Sequence, residues 1–134
     1  MKGNATVFEY KIYLYLKMKS FIKSFGFALK GISISLKQRN FKIELFIAVL
    51  VIILGYFFQI TATEWCIALI AISMVLVTEM LNTAIEHFVD LVSPDYHKTA
   101  GIIKDISAGA VLVSAIFSAV IGVIIFGKYL IAII

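Results

Sequence analysis

The stretch WCIALIAISMVLVTEMLNTAIEHFVD, residues 65–90, decides how this chain folds. Its first half, 65–78, carries no charge, and nothing before Glu79 ends a helix. The same helix then runs into Glu79, Asn82, Glu86 and Asp90. Carboxylates at or near bilayer depth are costly and usually functional. Composition supports the membrane reading. Of 134 residues, 62% are hydrophobic, too apolar for an ordinary soluble domain. The length allows one domain.

Two further apolar runs flank this one. IELFIAVLVIILGYFFQI covers 43–60 with one acid near its start, and ISAGAVLVSAIFSAVIGVIIF covers 106–126 with no charge. A spanning helix needs about 20 residues. The expected spans are therefore 43–60, 64–92 and 104–126, the second borrowing its polar continuation and the third opening at Lys104. The fold class is an all-α integral membrane protein of three transmembrane helices.

Basic residues orient it. Lys2, Lys11, Lys17, Lys19, Lys23, Lys30, Lys37, Arg39 and Lys42 precede the first span; Lys98 and Lys104 follow the second; QITATE after the first has none. The positive-inside rule places the N-terminus and the second connection in the cytoplasm, with the C-terminus outside. The acidic end of the second span then faces the side that holds ATP. A net charge of +4 concentrated beside the membrane suits anionic lipid, not nucleic acid.

Within 19–39, Phe21, Phe25, Ala28, Leu29, Ile32 and Leu36 recur at helical spacing, with Lys23, Lys30 and Lys37 seven residues apart. This predicts an amphipathic helix lying on the membrane surface or packed on the bundle. Charges recurring through the first twenty residues exclude a signal peptide. Cys66 is the single cysteine, which leaves no disulfide framework, and its apolar setting predicts a packing role. Pro94 is a natural stop for the second span. Ser107, Ala110, Ser114, Ser118 and Gly122 form a line of small residues expected to be a packing seam.

The acidic stretch has a face. At 100° per residue, Asn82 falls about 60° behind Glu79, Glu86 about 20° behind and Asp90 about 20° ahead, with His87 about 80° to one side. Two carboxylates two turns apart, with a carboxamide between, suit two jobs: taking a proton from an alcohol and holding a divalent ion. Mg²⁺ takes one or two carboxylates together with phosphate oxygens and water. Lys104 can neutralise phosphate as a point charge. The plain alternative is acids solvated beyond the headgroups. It suits Asp90 and Asp95, but suits Glu79 less, because HFVDLV still follows at 87–92. A non-enzymatic ion path lined by Glu79 and Glu86 is a further alternative, and it predicts ion flux without ATP consumption.

EMLNTAIEHFVD, followed by SPDYH at 93–97 and KDISAGAVL at 104–112, resembles the signature of the prokaryotic diacylglycerol kinase family, and it is more similar to the undecaprenol kinase branch. The resemblance covers about residues 19–126. It implies a small bacterial inner-membrane kinase of three spans and a surface helix, assembled as a homotrimer with sites between subunits. Such a kinase moves the γ-phosphate of MgATP to a lipid hydroxyl, with undecaprenol the preferred acceptor and diacylglycerol the alternative. Carried over, Glu79 resembles the catalytic base and Asn82 its polar neighbour. Glu86 resembles a metal and nucleotide ligand, Lys104 and Asp105 the nucleotide-site pair, and Tyr96 and His97 a further nucleotide contact.

Two departures stand out. In LKQRNFKIELF, Gln38 occupies the place where the family has a second metal-binding glutamate. A carboxamide oxygen can ligate Mg²⁺ but brings no charge. Glu44, six residues on and deeper in the first span, is a candidate to compensate for that acid; the plain alternative is a structural acid paired with Lys42 or Asn40. The second departure is the N-terminus: a family-like start, MKSFIKSFGFALKG, begins at Met18, so residues 1–18 read as an extension.

Overall fold

The computed structural model describes residues 3–95 and 97–132, with four helices: α1 (Gly3–Ser35), α2 (Arg39–Phe58), α3 (Ala62–Val92) and α4 (Lys98–Ile131). The chain forms two compact units, one ending at Ile34 and the other beginning at Ser35.

The first unit is α1 alone. One helix, Gly3–Ser35, takes in most of the expected extension 1–18 and of the expected surface helix 19–39. Residues 4–25 contain neither glycine nor proline, so nothing interrupts it. Tyr10, Tyr13, Tyr15, Phe21, Phe25 and Phe27 are exposed. Phe21 and Phe25 meet edge to face at 5.0 Å, and Lys23 lies 5.8 Å from the Phe27 ring.

In the second unit, α2, α3 and α4 are each long and apolar enough to cross a membrane. α2 starts at Arg39, four residues before the hydropathic edge at 43, with the extended Gln38 at the N-cap position and no side-chain capping bond. α4 runs beyond 104–126 at both ends. Hydropathy marks only the stretch that matches lipid, whereas the helix continues wherever its backbone bonds can be made. α3 holds 31 residues. At 1.5 Å per residue that is about 46 Å, against roughly 30 Å of hydrocarbon, so one end of α3 must leave the lipid core.

The α2–α3 corner is tightly specified. Gln59 takes the left-handed conformation at φ 50°, and the Ile60 amide returns to the Gly55 carbonyl at 3.2 Å. Thr61 then caps α3 in a reciprocal box: its hydroxyl accepts from the Glu64 amide at 3.3 Å, and the Glu64 carboxylate accepts from the Thr61 amide at 2.8 Å. Glu64 also pairs with Lys128 and accepts from the Tyr129 hydroxyl at 2.9 Å, which ties α4 to the same corner. Ile60, Ala68, Ile125 and Phe126 form the core beneath it, with Phe58 stacked on Tyr129.

Gly55 is required here for space. A Cβ at that position would lie 2.6 and 2.8 Å from the Cη2 and Cζ2 atoms of Trp65. Trp65 is itself held by Tyr56, edge to face at 5.6 Å. Gly55→Ala therefore forces the indole out of place. The expected cost is about 1–3 kcal/mol, read as a lower melting temperature in detergent. An unchanged melting temperature would mean that the corner yields freely.

Along the rest of their length α3 and α4 are joined by hydroxyls. Ser118 donates to the Ala71 carbonyl at 3.1 Å, and Thr78 and Ser114 lie 2.8 Å apart. Three serines of the expected small-residue seam, Ser107, Ser114 and Ser118, thus bond to α3. Cys66 is different from expectation. It is exposed and does not pack within the chain, because its position turns away from the α2 and α4 contacts made by Trp65 and Ala68.

Candidate functional site

The acidic end of α3 is buried where it was expected to be costly. Glu79 is 3% exposed, Asn82 5% and Thr83 4%; Glu86 is half-buried and Asp90 exposed. The 3.6-residue period puts Glu79, Asn82 and Glu86 on one stripe, and that stripe faces the other helices of the bundle. Acids on the opposite face would have met lipid.

Asn82 is the hub. Its Nδ2 donates to Glu86 Oε1 at 3.1 Å, and its Oδ1 accepts from the Ser107 hydroxyl of α4 at 2.7 Å. The two bonds fix the carboxamide and, through it, one oxygen of Glu86. The second Glu86 oxygen remains available to a ligand. Glu79 is held differently. Its carboxylate accepts no hydrogen bond among the described residues, although it lies on the same stripe as the bonded Asn82 and Glu86. Such a group is held by packing alone.

Lys104, at the start of α4, pairs with Asp90 at 2.6 Å. The pair is substantially exposed, so it contributes little to stability. It does hold the ammonium beside the acidic stripe. Asp105 is exposed, and His97 is an exposed N-cap residue of α4 whose side chain makes no capping bond. Gln38 is half-buried at the start of α2. Tyr96 lies outside the described residues. Thus the structure brings together Glu79, Asn82 and Glu86, and Lys104 near them through Asp90. It records no contact of Gln38, His97 or Asp105 with that group.

Among the described residues no three His, Cys, Asp or Glu side chains converge as a metal cage. The donor set still fits Mg²⁺, which takes few protein oxygens and fills its octahedron with phosphate and water.

Three residues escaped the sequence. Ser107 read only as a small packing residue, and Asp90 only as a solvated acid. Glu44 is a correction. It pairs with neither Lys42 nor Asn40; its Oε2 is buried without a hydrogen-bond partner among the described residues. Its side chain instead lines the cleft between the helices. Its one legible signal was an acid placed deep in an apolar run.

The profile of the family described as prokaryotic diacylglycerol kinase matches residues 26–126. The chain belongs to that family. It is a lipid kinase, and the match takes in all of α2 and α3 and most of α4. An undecaprenol kinase from Bacillus subtilis is 40% identical over 111 residues, covering 82% of this chain and 90% of that enzyme. A diacylglycerol kinase from Synechocystis is 40% identical over 101 residues, which is 74% of this chain and 58% of that protein. The diacylglycerol kinase of Escherichia coli K12 is 27% identical over 100 residues, 74% of this chain and 82% of its own length. Members of this family act at a membrane, and the three spanning helices fit that setting.

Proposed function

We propose that this kinase transfers the γ-phosphate of ATP to undecaprenol at the cytoplasmic face of a bacterial cell membrane. The observation that supports the chemistry is the buried, unpartnered Glu79 carboxylate one turn from the fixed Asn82–Glu86 pair. Undecaprenol is preferred because the 40% identity to an undecaprenol kinase spans 90% of that relative; diacylglycerol is the alternative.

A lipid hydroxyl is a poor nucleophile, and phosphoryl transfer is driven by positioning, charge neutralisation and a proton acceptor. The acceptor oxygen forms its bond to Pγ as the bond from Pγ to the bridging oxygen breaks, releasing ADP. The hydroxyl proton passes to Glu79. Asn82 keeps Glu86 in place. Lys104, steadied by Asp90, and Asp105, His97 and Tyr96 make up the nucleotide side. Glu86, with Gln38, would hold Mg²⁺, which withdraws charge from the phosphates when bound.

Basic residues clustered before α2 support a cytoplasmic N-terminus and active site. A surface helix in α1 and a homotrimer belong to the same reading. Large side chains such as Phe46 (70% exposed), Tyr56 (78%) and Phe57 (72%) on α2 need lipid or further copies against them.

The test is transfer from labelled MgATP in mixed micelles containing undecaprenol or diacylglycerol. Label in undecaprenyl phosphate alone supports the proposal; label only in phosphatidic acid replaces undecaprenol with diacylglycerol. Gln38→Glu in the same assay restores a carboxylate at α2. It is expected to lower the half-saturating Mg²⁺ concentration by about tenfold. An unchanged Mg²⁺ requirement would remove Gln38 from the metal site.

A further inference from the structure

We propose that the first half of α1, residues 9–25, is an arm that docks on anionic lipid headgroups through Lys11 and Lys17. The family profile begins at residue 26, so this segment lies outside the region that carries the family likeness. The proposal rests on the reading of α1 as a surface helix, and it names the partner of that helix and the residues that select it.

Every side chain from 9 to 30 is exposed. At 100° per residue, Tyr10, Leu14, Met18, Phe21 and Phe25 fall within about 80° of arc and form an apolar strip. α1 is the only helix of its unit, so no second element of that unit covers the strip. A continuous exposed strip of this kind marks a surface that meets a partner. Two lysines border it. Lys17 falls about 20° beyond Tyr10 on one edge, and Lys11 about 20° beyond Met18 on the other. The Lys17 ammonium lies 5.8 Å from the centre of the Tyr13 ring, on the side away from the apolar middle. Residues 9–25 hold four lysines and one acid, Glu9, which lies about 140° from the middle of the strip. The opposite face is mixed, with Ile12 and Leu16 among Lys19, Ser20 and Lys23.

The order of side chains around the helix chooses the partner. Moving outward from the strip, each edge shows a lysine and then a tyrosine: Lys11 and Tyr15 on one side, Lys17 and Tyr13 on the other. Both tyrosines lie about 60° outside the strip. An apolar middle, ammonium groups at its rims and tyrosines beyond them match a medium that is hydrocarbon at one depth and anionic just above it. The tyrosine rings then lie at headgroup level with their hydroxyls toward water. A protein groove would need acids along both of its rims to do the same, whereas a leaflet containing anionic lipid presents them on every side. Zwitterionic lipid supplies the apolar layer but leaves Lys11 and Lys17 without counter-charges. Each lysine held near an anionic surface favours docking about fivefold.

The test places the full chain in nanodiscs of phosphatidylcholine, with or without phosphatidylglycerol. Cys66→Ser removes the single native thiol. A nitroxide is then attached at Leu14→Cys, on the strip, or at Ser20→Cys, off it. Oxygen reaches the label from lipid and a neutral nickel chelate reaches it from water, so their ratio reports depth. With phosphatidylglycerol present, Leu14 is expected to respond to oxygen and Ser20 to the nickel chelate. Adding Lys11→Gln and Lys17→Gln is expected to lower the ratio of docked to free arm about 25-fold, and leaving out phosphatidylglycerol should do the same. Leu14 equally protected in both membranes would overturn the assignment to anionic lipid and leave α1 a surface helix. If the nickel chelate reaches Leu14 in both, the proposal and the surface-helix reading fall together. Broadening of the Leu14 signal that disappears on dilution with unlabelled protein would give the strip to α1 of a second copy, and the lipid proposal would again be overturned.

Discussion

Glu79→Gln is expected to lower phosphate transfer to the lipid by about 10²–10⁴-fold, the span associated with a positioned proton acceptor. The substitution keeps the shape of a side chain that is 3% exposed, so packing around it is preserved. It also removes a charge that accepts no hydrogen bond among the described residues. Folding should therefore be unharmed, and the melting temperature in detergent should hold or rise. Glutamine can still accept a hydrogen bond from the lipid hydroxyl, but it cannot take the proton. The loss should fall on kcat, with KM for ATP and for the acceptor both near wild type. Labelled-ATP transfer at saturating substrates measures it directly. If Glu79→Gln retains more than about a tenth of wild-type kcat, the proton goes elsewhere, and Glu44, a half-buried carboxyl with an unbonded Oε2, becomes the first candidate.

Why some of this site was legible in the sequence, and some was not, follows from the distances involved. Glu79, Asn82 and Glu86 lie on one helix, and the period of that helix fixes their shared stripe from spacing alone. The three spans were equally readable, because lipid imposes a length and a polarity on each. The ends of α2 and α4 were not, since a helix can continue past the lipid at no cost. Contacts between helices were also hidden. Nothing in the spacing of Ser107 says that it would meet Asn82, twenty-five residues away, at 2.7 Å. The same holds for Asp90 and Lys104, which are brought together by the packing of α4 against α3. Glu44 was misread for a related reason. Its sequence neighbours supplied partners on paper, whereas the folded chain places Glu44 against the cleft between the helices, with its Oε2 buried and unbonded among the described residues.

The second large effect belongs to Asn82→Leu, because this one carboxamide joins α3 to α4 and fixes Glu86. Leucine fills nearly the same volume, so no large cavity is created. What is lost is polar: Ser107 loses its acceptor, and Glu86 Oε1 loses the donor that sat 3.1 Å away. Hydrogen bonds to a charged partner are worth about 1.5–3 kcal/mol, which predicts a kcat reduction of about 10–100-fold if the Asn82–Glu86 bond is what keeps the carboxylate aimed. The helix–helix bond to Ser107 is worth less, about 0.6–2 kcal/mol in a membrane, so the melting temperature should fall only modestly. Ser107→Ala separates the two contributions. By itself it should cost stability but retain most activity, since Asn82 can still donate to Glu86. Added to Asn82→Leu it should cost almost nothing more, because its partner is already gone; such non-additivity is the mark of residues that act as a unit. Should the two substitutions instead lower activity independently and additively, Asn82 would be acting on the substrate itself, and the Asn82–Glu86 bond would be a consequence of helical spacing alone.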